Sequence, residues 1–372
     1  MLGNATCAHQ LAGDGAQRLR LGTRLRTLVT GHHGYIGSVV VSILSAAGHD
    51  LTGLDTFLYE GCDFVPGTEI PSLRRDVRDV QAADLRPFDA VVHLAALSND
   101  PLGDLRPELT HEINFEATLG LASAAKAAGV ERFVFASSCS IYGAAGTGDA
   151  IDESGKLRPM TAYAESKVRA EAALSQLADD SFSPTSMRNA TAYGASPRLR
   201  LDVVLNNLVG WAFTTGRIRI MSDGTPWRPL VHVQDIARAT LALLDAPREL
   251  VHGESFNIGA DGQNYQVREL AEIVRDVVPG CEIEYAGSGD PDPRSYRVDF
   301  GKLARTLPGF AFEWNARAGA AELVEAYEAA GLTLGEFEGD RYVRVTHLKR
   351  LLAEQALDHD LRWRRCTRDA AA

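Results

Sequence analysis

Tyr163 and Lys167 stand four residues apart in "TAYAESKVRAE", a spacing that puts both side chains on one face of a helix. A phenol is a poor base at its ordinary pKa of about 10. A neighbouring ammonium, together with a positive nicotinamide, stabilises the phenolate and lowers that value. A tyrosine tuned in this way takes a proton from an alcohol while hydride leaves the same carbon for a nicotinamide cofactor. The lysine has a second role open to it, a hydrogen bond to the cofactor ribose. Coincidence is the competing explanation of the pair, so the rest of the chain has to supply the cofactor.

It does so in "LVTGHHGYIG", residues 28–37, where Gly31, Gly34 and Gly37 follow an apolar run and precede another. In a dinucleotide-binding turn one glycine permits the tight turn. A second lets backbone approach the pyrophosphate, and a third allows close packing of helix on strand. The pyrophosphate then rests on the first helical turn, here Tyr35 and Ile36, where free N–H groups and the helix dipole favour anions. The usual spacing is GxGxxG, whereas this chain has GxxGxxG, so context carries the assignment. Asp55 closes the next apolar segment about 20 residues on. Its carboxylate suits the ribose hydroxyls and repels a 2′-phosphate, so the cofactor reads as NAD in preference to NADP. His32 and His33 read as loop residues, in no metal-ligand spacing.

These residues need a scaffold of alternating strands and helices. "TLVT", "DLTGLD", "AVVHLAA", "RFVFASS" and "PTSMRNAT" read as buried strands. Between them "YIGSVVVSILSAAG", "LTHEINFEATLGLASAAKAAG" and "AYAESKVRAEAALSQL" have helical periodicity. Strands separated by helices imply a doubly wound parallel α/β sheet of Rossmann type, with NAD across the carboxyl ends of the strands. After about residue 195 the rhythm loosens, and three further helical stretches, "LDVVLNNLVGWAFTTG", "VHVQDIARATLALLDA" and "QVRELAEIVRDVV", belong to a less regular region. The expected organisation is a disordered leader at 1–25, an NAD-binding domain at 26–195 to which 228–258 return, and a smaller C-terminal substrate-binding lobe from 196–227 and 259–372. The stretch "RYVRVTHLKRLLAEQALDHDLRWRR" predicts a terminal helix with a basic face, docked or solvated.

Composition narrows the class. The chain has 372 residues, 45% of them hydrophobic, enough for a large core. A formal charge of −11 argues against nucleic acid as the main partner. The five cysteines are scattered and odd in number, so neither a disulfide framework nor a zinc site is predicted. No apolar run reaches membrane-spanning length and no signal peptide is evident, which predicts a cytoplasmic protein without a membrane partner.

With these pieces in place, the chain resembles the extended short-chain dehydrogenase/reductase family, the nucleotide-sugar epimerases and dehydratases. The resemblance runs in order from about residue 26 to 310 through the glycine turn, Asp55, "RRDVRD", "VVHLAA", "EINFEAT", "FASSCSIYG", "YAESK", "MRNATAYG", "WRPLVHVQD" and "VDFGKL". It implies that Asp76 and Val77 contact adenine, that Leu94, Ala95 and Ala96 line the cofactor groove, and that Asn114 supports the strands beside it. It implies that Ser138 shares the substrate hydroxyl with Tyr163, and that Asn207 and Leu208 hold the sugar diphosphate. It implies as well that Arg228 pairs with that diphosphate, a task its fork geometry suits. The family also implies a two-fold dimer built on helices 108–128 and 162–177.

Departures from the family pattern narrow the reaction. Where 4,6-dehydratases carry Asp-Glu after the catalytic threonine, this chain has Cys139 and Ser140, which the resemblance places against the substrate but neither of which is an acid for a hydroxyl leaving group. Elimination and decarboxylation are therefore disfavoured. What remains is oxidation, rotation of the keto-sugar and reduction, an epimerisation most simply at C4. Thr191 stands where many relatives have asparagine, and the late arginine is Gly289, for which Arg294 or Arg297 substitutes. Other readings stay open: net oxidation or reduction, or dehydration, of a nucleotide sugar within the same family, and a non-catalytic NAD-binding scaffold or sensor.

Overall fold

The structure is a computed structural model that describes residues 24–98, 106–144, 148–285 and 294–364. Most of the expected leader, and Gly289, lie outside the described residues.

Seven parallel strands form the main sheet: β1 (Arg26–Thr30), β2 (Asp50–Asp55), β3 (Ser72–Arg74), β4 (Ala90–His93), β5 (Arg132–Ser138), β6 (Ser183–Asn189) and a strand at Ser255–Ile258. The last of these lies at the edge beside β6, and the order continues through β5, β4, β1 and β2 to β3. The direction of winding reverses between β1 and β4, where Val29 pairs with Val92, so the crevice lies at their carboxyl ends. Strand residues alternate between two buried faces. Val29, Val92 and Val134 enter one core, while Leu28, Val91, Phe133 and Phe135 enter the other. Both faces are covered, which is why these strands read as near-continuous apolar runs.

Helix α1 (Tyr35–Ala46) covers the first face. Helices α2 (Ala117–Ala128) and α3 (Ala162–Leu177) cover the second. The long helix expected over 109–129 is not regular. A short α-helical stretch at Pro107–His111 and a wider helical turn at Glu112–Glu116 run without a break into α2, and Gly129 ends it in a left-handed conformation at φ 87°. The expected strand 184–191 is also divided. β6 stops at Asn189, and β7 (Thr191–Tyr193) starts a different sheet. "AVVHLAA" likewise pairs only through His93, because Leu94–Ala96 leave the ladder and line the crevice.

Beyond β7, helix α4 (Val204–Thr215) leads to β8 (Arg217–Ile220) and β9 (Trp227–His232). β9 pairs with β7, so the segment that returns to the main sheet begins with α5 (Val233–Asp245), which packs on α1. After β10, the edge strand at Ser255–Ile258, come β11 (Asn264–Gln266), α6 (Val267–Val277) and β12 (Glu282–Tyr285). β11 completes a three-stranded sheet with β9 and β7, and β12 pairs with β8. α7 (Ala316–Ala330) joins α4 and α6 around a second core that includes Leu208, Val209, Leu270, Leu323 and Tyr327. The expected basic terminal helix is a docked ten-residue helix, α8 (Arg344–Ala353), and its face is not simply solvated: Arg344, His347, Leu348 and Leu351 are buried. No helix among the described residues is long and apolar enough to cross a membrane.

Candidate active site

The crevice opens into a cavity of about 690 Å³ running from the glycine turn to the second core. At one end lies the turn between β1 and α1. Gly31 has φ +71°, and a Cβ there would come within 2.7 Å of the Ala95 backbone nitrogen. A Cβ on Gly37 would lie 2.0 Å from the Gly31 carbonyl oxygen. Chain geometry therefore requires glycine at both places. Gly34 is the N-cap of α1 and no side chain caps the helix, so its first N–H groups face the cavity that Tyr35 and Ile36 line. The Tyr35 phenol itself turns inward and donates to the Gly194 carbonyl at 2.8 Å.

Asp55 ends β2 in the cavity wall, where its carboxylate accepts the N–H groups of Phe57 at 2.8 Å and His33 at 3.1 Å. Burial raises its pKa, against the pull of those donors and of His32. His32 packs its ring where a Gly53 side chain would otherwise stand. Asp76 and Val77 lie farther along the same wall. Burial works to raise the Asp76 pKa, but Arg78 more than offsets it through side-chain bonds of 2.6 and 3.0 Å and a backbone N–H bond of 2.9 Å. Leu94, Ala95 and Ala96 form the floor. Asn114 does not line the cavity. Fully buried, it clamps the loop after β4 by bonding both the N–H and the carbonyl of Leu97, at 2.8 and 3.0 Å. It thus positions the groove without touching its contents.

The other half of the cavity gathers Ser138, Ser140, Tyr163 and Lys167. Thr161 caps α3 and so fixes the helix start just before Tyr163. Lys167 donates to the Ala136 carbonyl at 2.7 Å and lies over the Phe135 ring. Burial lowers its pKa to about 7, with Glu171 opposing. Glu171 accepts a hydrogen bond from Ser137 and ion-pairs with Arg188 at 2.7 Å, tying α3 to β5 and β6. Ser138 accepts the Ser140 N–H at 3.1 Å and caps the turn at Cys139–Tyr142. That turn corrects the expectation for Cys139, whose thiol points away from the cavity and donates to the Arg188 carbonyl at 3.0 Å within the core. Ser140 lines the cavity, and its hydroxyl has no hydrogen-bond partner among the described residues.

Thr191, Asn207, Leu208, Arg228 and Arg294 line the far end. Asn207 donates to the Leu201 carbonyl at 2.9 Å, and Arg228 donates to the Trp227 carbonyl at 2.8 Å and to that of Arg294. Arg297 reaches the Gly148 carbonyl at 2.8 Å and is not part of the lining, so Arg294 is the late arginine at the cavity. The lining residues that sequence reasoning missed include Tyr59, Asn189, Arg344 and Leu361. Asn189 was legible in principle, since it sits inside "MRNATAYG", and its buried Oδ1 has no partner among the described residues.

One cavity thus gathers a glycine turn at a helix N-terminus, a buried carboxylate, and a tyrosine–lysine–serine group. The model of the NAD dependent epimerase/dehydratase family matches residues 27–259. The UDP-glucose 4-epimerase of Corynebacterium glutamicum is 31% identical over 286 residues, 72% of this chain and 85% of that protein. Two solved structures superpose on 82% of the chain. MoeE5 in complex with UDP-glucuronic acid and NAD does so with a TM-score of 0.70, 29% identity and 99% of its own length. The dTDP-glucose 4,6-dehydratase DesIV from Streptomyces venezuelae, with NAD bound, does so with a TM-score of 0.71, 28% identity and 97% of its length.

Proposed function

The chain belongs to the NAD-dependent epimerase/dehydratase family, and from that premise we propose that it epimerises a nucleoside-diphosphate sugar through a transient keto-sugar, at C4. The observation that carries this reading is the pair of residues after Ser138. Cys139 faces the core and Ser140 is a neutral hydroxyl, so these two positions after Ser138 offer no carboxylic acid to protonate a leaving group. The epimerase from Corynebacterium glutamicum supports the same choice.

In this reading Tyr163 takes the proton of the sugar hydroxyl and Ser138 shares that hydroxyl's hydrogen bond, holding it toward the phenol. Lys167 supplies positive charge one helical turn away, favouring the phenolate. NAD, which the Gly31–Gly37 turn and Asp55 would hold, would supply reversible hydride chemistry at the carbinol carbon. Thr191 and Ser140 face the sugar. Asn207, Leu208, Arg228 and Arg294 hold the diphosphate, so the keto-sugar can turn over while it stays tethered. Tyr163 then gives the proton back. A cytoplasmic location and a two-fold dimer through α2 and α3 complete the proposal.

The test is incubation of the purified protein with UDP-, dTDP-, GDP- and CDP-sugars, read by NMR. An inverted stereocentre without net NADH supports the proposal. Steady NADH production favours a dehydrogenase, and an unsaturated or deoxy product favours a dehydratase. Retained NAD with no turnover of any sugar leaves the scaffold reading.

A further inference from the structure

The residues after α7 return to the other end of the molecule. α8 places Leu348 and Leu351 in an apolar cluster with Leu97, Leu109, Leu357 and Leu361. Arg362 then pairs with Asp79 at 2.6 Å, and the Trp363 indole donates to the Thr56 carbonyl at 2.7 Å. Leu361 and Arg344 thereby become part of the wall that also contains Asp55 and Asp76.

Arg344 is 2% exposed. Its guanidinium stacks 3.8 Å from the Tyr59 ring centroid, and Nη2 donates to the Arg198 carbonyl at 3.1 Å. Nη1 has no hydrogen-bond partner among the described residues. The carboxylates around it are already engaged: Asp202 is held by Arg200 through two bonds of 2.8 Å, and Asp55 by backbone N–H groups. Burial lowers the Arg344 pKa and Arg200 adds to the repulsion. A buried cation with an unsatisfied donor is costly unless an anion completes it.

The dinucleotide brings such an anion into this cavity. Arg344 lines the cavity together with Gly31, Gly34 and Asp55, whereas the diphosphate of a sugar nucleotide belongs by the proposed assignment with Arg228. We propose that Arg344 is a ligand of the cofactor pyrophosphate, supplied by the C-terminal helix, so that dinucleotide binding and closure of the 344–363 segment are one event. The inference rests on NAD occupying the glycine turn.

The test uses the full chain stripped of NAD, with calorimetric titration of NAD, ADP, adenosine and UDP into the unaltered protein, Arg344→Gln and Arg344→Lys. Loss of a charge-assisted bond predicts that Arg344→Gln weakens NAD and ADP by about 10- to 100-fold. Arg344→Lys loses less, adenosine and UDP are unaffected, and the ligand-free thermal midpoint does not fall. Should the glutamine variant not fold, Arg344→Lys and the unaltered protein decide. In the latter, ADP but not adenosine slows amide hydrogen exchange across 344–353. Equal losses for ADP and adenosine, unchanged ADP affinity, loss confined to UDP, or equal protection by ADP and adenosine each overturn the proposal. Failure of the unaltered protein to bind NAD would instead overturn the reading beneath it.

Discussion

The Lys167 ammonium nitrogen lies 5.7 Å from the centroid of the Tyr163 ring, one turn farther along α3. Its own hydrogen bond goes to the Ala136 carbonyl on β5. The lysine therefore touches the sheet and influences the phenol through space. A side chain anchored in this way is fixed in position, and the chemistry assigned to the pair depends on the protonated form of an amine whose pKa burial has brought to about 7.

Tyr163→Phe removes the proposed base and leaves the ring. General acid–base catalysis is worth about 10²–10⁴-fold, and hydride departure without deprotonation adds to the loss. Turnover followed by NMR should fall by several orders of magnitude, with NAD content unchanged. Intact turnover would eliminate Tyr163 as the base.

The buried lysine makes ligand-free stability depend on pH. Its folded pKa of about 7 lies below the ordinary value of 10.5, so between those values the unfolded chain binds more protons. Stability should therefore rise as pH increases from 7 toward 10, by at most about 1.4 kcal/mol per pH unit. Urea unfolding of the protein and of Lys167→Met, compared across that range, checks the sign: the variant should lose this part of the slope.

Glu171→Ala leaves Arg188 buried without its carboxylate. Breaking a buried ion pair on one side costs about 3–5 kcal/mol, and the same change removes the group that supports the charge on Lys167. Calorimetric unfolding should show the loss in stability. A neutral result would mean that the pair is replaceable by water or by Ser137.

Asp55→Ser should relax the choice of cofactor. Removing the carboxylate withdraws both the ribose acceptor and the repulsion of a 2′-phosphate, so NAD binding weakens and NADP binding strengthens. The ratio of the two dissociation constants should move by at least about tenfold, the equivalent of 1.4 kcal/mol. An unchanged ratio would remove Asp55 from the ribose site.

Much of the site was legible because its signals are local. Gly31 and Gly37 announce a backbone geometry that no side chain tolerates, and Tyr163 and Lys167 declare their common face by spacing alone. Other features depend on distant partners. Nothing near Arg344 in the sequence distinguishes it from the exposed Arg341 or Arg350. Its burial is set by Tyr59 and Arg198, far back in the chain. Cys139 occupied the right sequence position for a substrate contact, yet the short helical turn capped by Ser138 rotates it into the core. The break after Asn189 was equally hidden, since only the pairing of Thr191 with Leu230 shows that the chain changes sheets there.

The bond from Trp363 to Thr56 joins residues 307 positions apart. A ribosome will have released the glycine turn, the parallel strands and the tyrosine helix long before Trp363 is made. The wall of the crevice that Arg344 and Leu361 line is therefore the last part of it to be synthesised.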